Sequence, residues 1–278
     1  MTSDAGKSGT IGSAVAYGAA RVSARDAELL LRYATGRDKA FIITHPDAEL
    51  TKEQQATYEE WLTRRERHEP IQYITGEQEF YGLAMRVTPA VLIPRPETEH
   101  LVEAAFARAA RDSATRIADV GTGSGAIAIT LAHKLPQAQV AALDSSQAAL
   151  AVARGNAERH KVADRVRFMK SDLLRAVAKE RFDMIVSNPP YVPEGEELEP
   201  QVRDYEPQAA LFAGPTGLEV YQRLVPQARE ILLPQGWLLL EIGHGQFDAL
   251  AVLLGGWNNL QFIEDLQGIP RVACAQKR

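Results

Sequence analysis

The spacing of apolar residues changes partway along the chain. From about Val15 to His68 apolar positions recur with the period of an amphipathic helix, and Gly36 follows one such segment as a stop signal. Thr51 and Gln54 stand in the spacing of a capping box at the start of another segment. From Arg116 onward, short apolar runs alternate with helical segments. This pattern predicts a helical N-terminal region followed by a larger α/β domain.

The α/β region contains seven strand-like segments. The first four are nearly continuous apolar runs, as expected for a parallel sheet covered by helices on both faces. The last two are joined by only a few residues and are therefore expected to pair antiparallel. We predict a doubly wound, mostly parallel α/β sheet. The segments are RIADVG, QVAALD, VRFMKSD, FDMIVSN, GWLLLEIG, LQFIEDL and RVACAQ.

The change of pattern divides the chain into three parts. Residues 1–69 are the predicted helical domain, whose first ~15 residues are rich in Gly, Ser and Ala and are expected to be disordered. Residues 70–93 are a predicted connector, because Pro70–Val87 is rich in β-branched and aromatic residues and has the turn points of a β-hairpin. Residues 94–278 are the predicted α/β domain, and Pro96 suits a first helical turn near its start.

Composition narrows the class of protein. The chain has 278 residues, 45% hydrophobic and 24% charged, and a net charge of -5, which disfavours non-specific nucleic-acid binding as its main role. Its single cysteine, Cys274, is expected to be buried, and no Cys/His cluster has zinc-site spacing. The sequence shows no signal peptide and no membrane-spanning run. We expect a cytoplasmic monomer without a metal site, a direct nucleic-acid partner or membrane contact.

The first strand leads into a glycine-rich loop. Glycines at alternate positions allow a tight strand-to-helix turn and let a ligand approach the backbone. Alone, the loop is weak evidence: it satisfies a relaxed dinucleotide-binding fingerprint, and a purely structural turn is the less favoured alternative. The loop residues are Gly121, Thr122, Gly123, Ser124 and Gly125.

Acidic residues end the next two strands. Asp144 closes the second strand, where a carboxylate can accept hydrogen bonds from two ribose hydroxyls. Asp172 closes the third and can accept from an adenine amino group, while Leu173 packs against the ring. Together with the glycine loop, these strand ends predict a nucleoside pocket. An NAD enzyme and an S-adenosylmethionine enzyme would share all of these features.

The end of the fourth strand distinguishes an NAD enzyme from an S-adenosylmethionine enzyme. This strand ends on Asn188, Pro189, Pro190 and Tyr191. A planar amide or aromatic amine nitrogen is a poor nucleophile because its lone pair is delocalised. Two acceptors, the Asn188 side-chain oxygen and the Pro189 carbonyl, can hold its N–H groups and aim it at a methyl donor. Pro190 restrains the backbone that aims this carbonyl, and Tyr191 can lie against the flat face of the target. Asn-Pro is also a common turn dipeptide, but its position at a strand end of this sheet favours the catalytic interpretation.

These motifs resemble a known family. DVGTGSGAIA, ALD and SNPPYVP are similar to class I S-adenosylmethionine-dependent methyltransferases, which are Rossmann-like. PIQYITGEQEFYG, VLIPRPETE and YEPQAALFAGPTGLEVY resemble the bacterial peptide-chain release factor glutamine methyltransferases, the PrmC/HemK family. The resemblance implies a seven-stranded methyltransferase domain behind a small helical domain that recognises the substrate. It also implies N5-methylation, with S-adenosylmethionine, of the glutamine in the Gly-Gly-Gln loop of release factors.

The resemblance also assigns roles to individual residues. The loop from Gly121 to Gly125 would hold the methionine end of the cofactor, Asp144 the ribose, and Asp172 with Leu173 the adenine. The segment Asn188–Tyr191 would hold the substrate glutamine. Members of the family can carry an aromatic residue at position 173, so apolar packing replaces stacking on adenine here. Arg95 and Glu97 are expected to shape the active site. The alternative for Arg95 is a structural ion pair.

Two other functions compete with this one. An adenine-N6 methyltransferase acting on DNA or RNA would use the same chemistry, but it would need a basic groove or a target-recognition domain. The only short basic cluster is Arg64–His68, at the end of a helical segment. A non-catalytic binding module with a vestigial pocket is the third interpretation, and the intact glycine loop, Asp144 and Asn188 argue against it.

Overall fold

The computed structural model describes residues 9–109 and 114–278. Two compact units make up the chain, one from residues up to Gly76 together with Glu199–Tyr205, and one from Glu77–Leu198 with Glu206–Arg278. The helices are α1 (Ile11–Ala19), α2 (Ala24–Thr35), α3 (Lys39–Thr44), α4 (Lys52–Glu66), α5 (Ile71–Thr75), α6 (Glu99–Arg108), α7 (Ala126–Lys134), α8 (Gln147–Arg159), α9 (Pro200–Tyr205), α10 (Glu219–Ile231) and α11 (Phe247–Leu253). The strands are β1 (Glu77–Phe80), β2 (Leu83–Arg86), β3 (Arg116–Val120), β4 (Gln139–Asp144), β5 (Val166–Lys170), β6 (Phe182–Ser187), β7 (Val192–Pro193), β8 (Phe212–Gly214), β9 (Leu232–Glu241), β10 (Asn258–Glu264) and β11 (Pro270–Gln276).

The first unit is helical, with ends that follow from local sequence. The Thr51 side chain caps α4 in a capping box with Gln54, as predicted, and Gly36 ends α2 in the left-handed conformation. The apolar faces of these helices meet around Tyr58, which is 2% exposed and donates its hydroxyl to two backbone carbonyls. A buried tyrosine with its hydroxyl satisfied contributes both apolar area and orientation to the core.

Two predictions for this unit were wrong. Residues 11–15 are not disordered but begin α1, which is capped by Thr10; residues 1–8 of that prediction lie outside the described residues. The predicted hairpin from Pro70 begins instead with the short helix α5, and only the strands from Glu77 onward are paired. Burial explains this second error: Tyr73 and Ile74 are 6% and 5% exposed, Ile74 lies in the apolar core of the helical unit, and this burial overrides their β-propensity.

The short helix α9 belongs with the helical unit although it lies about 130 residues further along the chain. The Tyr205 hydroxyl donates to the Arg67 carbonyl at 2.7 Å. The amino-acid pattern did not predict this return of the chain.

The second unit contains the predicted seven-stranded sheet. Its strand order is β10-β11-β9-β6-β3-β4-β5; the pairs from β9 to β5 are parallel, and β11 is antiparallel to both of its neighbours. Successive residues alternate between two apolar clusters on the two faces; Leu239 lies in one, and Leu238 and Leu240 lie in the other. The predicted α/β fold with antiparallel final pairing is therefore confirmed.

Strand β3 lies at the switch point of the sheet. The chain extends from β3 through β4 and β5 on one side and through β6 and β9 on the other. Ligands of such sheets bind in the crevice at the carboxyl ends of the strands beside this point. In the register of the sheet, Val120 is paired with Leu143 and with Ser187, so the residues after these three positions share one edge.

The cysteine, the metal-ligating groups and the helix lengths of the described residues also bear on the expectations from the sequence. Cys274 is fully buried in β11, as predicted, and burial raises the pKa of its thiol to about 11. Across residues 9–109 and 114–278 there is no cluster of three metal-ligating side chains. Within the same ranges, no helix has the length and apolar character needed to cross a membrane.

Candidate active site

The glycine loop after β3 requires glycine at three positions. Gly121, Gly123 and Gly125 have φ values of 75°, 56° and 83°, in the left-handed region that other residues avoid. A Cβ on Gly125 would lie 2.7 Å from the Ile129 side chain, so the loop also brings α7 close. The Gly123 amide donates to Asp144 at 2.9 Å, which joins the loop to the end of β4. Thr122 and Ser124 are buried, at 5% and 3% exposure.

A buried carboxylate, Asp119, supports this loop from below. One of its oxygens accepts from the Thr122 hydroxyl at 2.6 Å and from the Ala128 amide at 3.2 Å, and the other has no hydrogen-bond partner. Burial raises its pKa to about 7. We did not assign Asp119 a role from the sequence, although it is the first residue of the quoted DVGTGSG motif and an acid at the end of a core strand was itself a signal.

Asp119 makes stability depend on pH. Its pKa is higher in the folded chain than the ordinary 3.8, so the folded state binds more protons and loses stability as pH rises from about 4 to about 7. Asp119→Asn removes this proton uptake. The free energy of unfolding of the variant minus that of the wild type should therefore be about 3 kcal/mol larger at pH 8 than at pH 5. Urea unfolding at both pH values measures the difference, with the exposed Asp164→Asn as control. An equal difference at both pH values would contradict the assignment.

Asp144 is held by backbone amides at the end of β4. One oxygen accepts from Ser146 N at 2.8 Å and the other from Gly123 N at 2.9 Å. Each carboxylate oxygen has a further lone pair, so the side chain can still accept from hydroxyls of a ligand.

Asp172 and Leu173 follow the end of β5, the neighbour of β4 in the sheet. Both carboxylate oxygens of Asp172 accept from Arg223, at 2.5 and 2.6 Å, and Arg175 is 3.4 Å away. Leu173 has a φ of 51°, an uncommon conformation for a branched side chain that tends to occur at functional sites. Arg223 could not be identified from the sequence, because its pairing with Asp172 depends on α10 lying close to the segment that follows β5.

A cavity of about 340 Å³ joins these strand ends. Of the predicted residues, its walls include Gly121, Gly123, Asp144, Asp172, Leu173, Asn188 and Pro190. The remaining ones, Thr122, Ser124, Gly125, Pro189 and Tyr191, are not wall residues; they belong to the two loops that carry the walls. Sequence reasoning missed the opposite wall, formed by Ala90, Val91, Leu92, Pro207, Ala209 and Ala210.

Asn188 follows the last residue of β6, and its amide has a defined partner. Its Nδ2 donates to the Thr98 hydroxyl at 3.1 Å. Thr98 is 4% exposed and ends the 3-10 turn Pro96–Thr98. With Nδ2 held, the side-chain oxygen is the atom left to accept from a substrate.

Tyr191 is anchored by groups from two later loops. The Gln246 side chain donates to the Tyr191 carbonyl at 3.0 Å and to the Gly217 carbonyl at 3.2 Å. A Cβ on Gly217 would lie 2.5 Å from the Tyr191 carbonyl oxygen, and one on Gly243 would lie 2.9 Å from its ring. Burial raises the pKa of the Tyr191 phenol, which is therefore neutral at physiological pH. The loop after β6 is thus packed in place rather than free.

Arg95 forms the ion pair that was one of its two predicted roles. It donates to Glu206, whose second oxygen accepts from the Ile93 amide at 3.1 Å. The Glu206 side chain is 1% exposed, so a buried carboxylate joins two segments that carry wall residues of the cavity. Glu97 is partly buried and lies close enough to Glu241 to raise the pKa of its carboxyl.

Two family models match parts of the chain. The model described as the methyltransferase small domain matches residues 98–204. The model described as the PrmC N-terminal domain matches residues 18–76.

Curated relatives carry the name release factor glutamine methyltransferase. One from Koribacter versatilis is 49% identical over 254 residues, 90% of each chain. One from Geobacter sulfurreducens is 44% identical over 89% of this chain and 87% of its own. One from Escherichia coli is 39% identical over 91% of both chains.

Solved structures share the fold. A methyltransferase from Pyrococcus furiosus superposes with a TM-score of 0.52 at 23% identity, covering 71% of this chain and 90% of that one. A T. thermophilus 16S rRNA methyltransferase in complex with AdoMet and guanosine gives a TM-score of 0.56 at 22% identity, covering 73% of this chain and 50% of that one. At these identities the likeness concerns the fold alone.

Proposed function

This chain belongs to the release factor glutamine methyltransferase family, and we propose that it methylates the side-chain nitrogen (N5) of the glutamine in the Gly-Gly-Gln loop of peptide-chain release factors. The methyl donor in this proposal is S-adenosylmethionine. One observation carries it: Asn188, with its Nδ2 held by Thr98, lies in the wall of the cavity formed by the glycine loop and the strand-end carboxylates.

The residues that line the cavity suit S-adenosylmethionine. The glycine loop exposes backbone without side chains at Gly121 and Gly123, where the methionine end would lie. Asp144 would accept from the ribose hydroxyls, and Asp172 and Leu173 would border the adenine. When bound, S-adenosylmethionine supplies an electrophilic methyl group on a sulfonium centre.

The residues of the chain would prepare the glutamine for attack. The Asn188 oxygen and the Pro189 carbonyl each accept one N–H of the substrate amide, which aims its nitrogen at the methyl group. The nitrogen held in this way would take the methyl group from the sulfonium and lose one of its protons. The N-protonated amide is strongly acidic, so this step needs no dedicated base. Tyr191 supports the flat face of the amide.

The rest of the molecule suits this role. The helical unit, which matches the PrmC N-terminal domain, is proposed to recognise the release factor. We propose that the protein acts as a monomer. We propose a cytoplasmic location, because the proposed substrate is a translation factor.

A labelling assay tests the proposal. With methyl-labelled S-adenosylmethionine, the protein should label an intact release factor, and peptide mapping should place the label on the Gly-Gly-Gln glutamine. A factor whose loop glutamine is replaced by alanine should take up no label, and neither should duplex DNA. Label on DNA, with the release factor unlabelled, would keep the methyl-transfer chemistry but overturn the substrate.

A further inference from the structure

A second buried carboxyl, Glu241, lies behind Asn188 and has no role in the reaction described above. It ends β9 and is 2% exposed, and the pairing of Ser187 with Leu240 places it beside Asn188. The side chains of Thr98 and Asn188 are close enough to lower the pKa of its carboxyl, against the larger effect of burial. Its Oε2 is buried without a partner. A carboxyl group in such a position loses hydration that its few hydrogen bonds do not replace. Its location beside the substrate-binding amide suggests a use that offsets this cost.

The Asn188 amide can be oriented only by its partners. Its oxygen and nitrogen are nearly equal in size, so packing cannot decide which of them faces the cavity. An oxygen facing the cavity accepts from the substrate amide. A nitrogen there would set donor against donor and leave the substrate nitrogen without its acceptor.

Thr98 can link Asn188 to Glu241 through hydrogen bonds that have a definite direction. Asn188 Nδ2 donates to the Thr98 hydroxyl, and that hydroxyl is then free to donate to Glu241. An ionised carboxylate has no proton and can only accept. The direction therefore runs from Asn188 through Thr98 to Glu241, and the amide nitrogen must face away from the cavity.

We propose that Thr98 and Glu241 are positioning residues that hold the Asn188 amide with its oxygen toward the substrate nitrogen. This inference rests on the proposed methyl transfer. Protonated Glu241 can donate to Thr98, whose hydroxyl then donates toward Asn188. That reversal favours the flipped amide, which cannot receive the substrate.

Several charged and titratable groups surround Glu241 and set when this reversal occurs. Burial raises the pKa of its carboxyl to about 7, and the carboxylate of Glu97 adds to the shift. Arg271, on β11, opposes it. The phenols of Tyr191 and Tyr221 lie nearby, and Tyr221 donates to the Glu241 backbone carbonyl at 2.8 Å. Because the productive form is the ionised one, turnover should rise as pH increases through about 7.

The kinetic test compares variants of the full chain on the intact release factor. At pH 8, Glu241→Gln and Thr98→Val should each lower kcat roughly tenfold, with KM for the factor and affinity for S-adenosylmethionine retained. Thr98→Ser keeps the hydroxyl and should retain most of the activity. The rise of kcat through about pH 7 should disappear in Glu241→Gln, and should move to lower pH in Glu97→Gln. A role in packing alone would change stability without altering the pH profile.

A spectroscopic test does not depend on the substrate. The side-chain amide resonances of Asn188, assigned by their loss in Asn188→Asp, should shift with pH through about 7 in the wild type and show no such shift in Glu241→Gln. Wild-type kcat in both Glu241→Gln and Thr98→Val, or a titration of Asn188 that survives in Glu241→Gln, would overturn the inference. If the wild type leaves the release factor unlabelled, the proposed function is wrong. The Asn188 resonances then test by themselves whether Glu241 orients the Asn188 amide.

Discussion

Replacing Asn188 with alanine is expected to lower the rate of methyl transfer by about 10²–10³-fold, a loss typical of removing one oriented group at a reacting centre. The lost oxygen is the acceptor that would hold the glutamine nitrogen, and Thr98 would lose the donor it binds at 3.1 Å. Affinity for S-adenosylmethionine should change little, because Asp144 and the glycine loop remain. Single-turnover labelling of the release factor gives the rate, and calorimetric titration gives the cofactor affinity.

A matched change elsewhere shows whether the effect is local. Gln137→Ala also removes an amide, but from an exposed turn before β4, at the opposite end of the strand from Asp144. It should leave the rate unchanged. An Asn188→Ala variant with the wild-type rate would refute the acceptor role and with it the mechanism proposed for the glutamine.

The second large effect concerns the cofactor. Asp144→Ala removes a carboxylate that is proposed to accept from two ribose hydroxyls, and hydrogen bonds to a charged group contribute roughly 1.5–3 kcal/mol each. We expect affinity for S-adenosylmethionine to fall by about 100-fold or more. The rise in unfolding temperature expected for the wild type at moderate cofactor concentration should then be lost. Calorimetric titration and thermal unfolding with and without the cofactor measure both quantities.

The variant also removes two internal hydrogen bonds, from Gly123 and Ser146, so its stability without cofactor must be measured as well. Asp164→Ala serves as the control. It removes an exposed carboxylate near the amino end of β5, whereas Asp144 lies at the carboxyl end of the neighbouring strand. Its cofactor affinity should equal that of the wild type. If Asp144→Ala bound the cofactor with undiminished affinity, the ribose role of this residue would be excluded.

Much of the fold was predictable because the relevant signals are local. The seven strands and the long helices between them follow from the periodicity of apolar residues, and α4 starts where its capping box lies. The errors came where burial overrode local preference, as at Tyr73 and Ile74 in α5. Residues with β-branched or aromatic side chains adopt a helical turn when a helical core accepts them.

The candidate site divides in the same way. Positions 121, 123 and 125 need glycine for their backbone conformation, and Asn188 to Tyr191 stand where a parallel strand ends, so both motifs can be read along the chain. The partners that hold these residues cannot be read in this way. Thr98 and Asn188 are 90 positions apart, and Arg95 and Glu206 are 111 apart.

The sequence by itself therefore determined the class of fold and the positions of the residues proposed to form the nucleoside pocket and the substrate-binding loop, because each depends on the spacing of a few neighbouring residues. Only the tertiary structure decided which buried groups support them: Asp119 below the glycine loop, Arg223 on Asp172, and Glu241 behind Asn188. Burial and hydrogen bonding between distant segments exist only in the folded chain; burial raises the pKa values of Asp119 and Glu241 to about 7, and the hydrogen bonds oppose that rise.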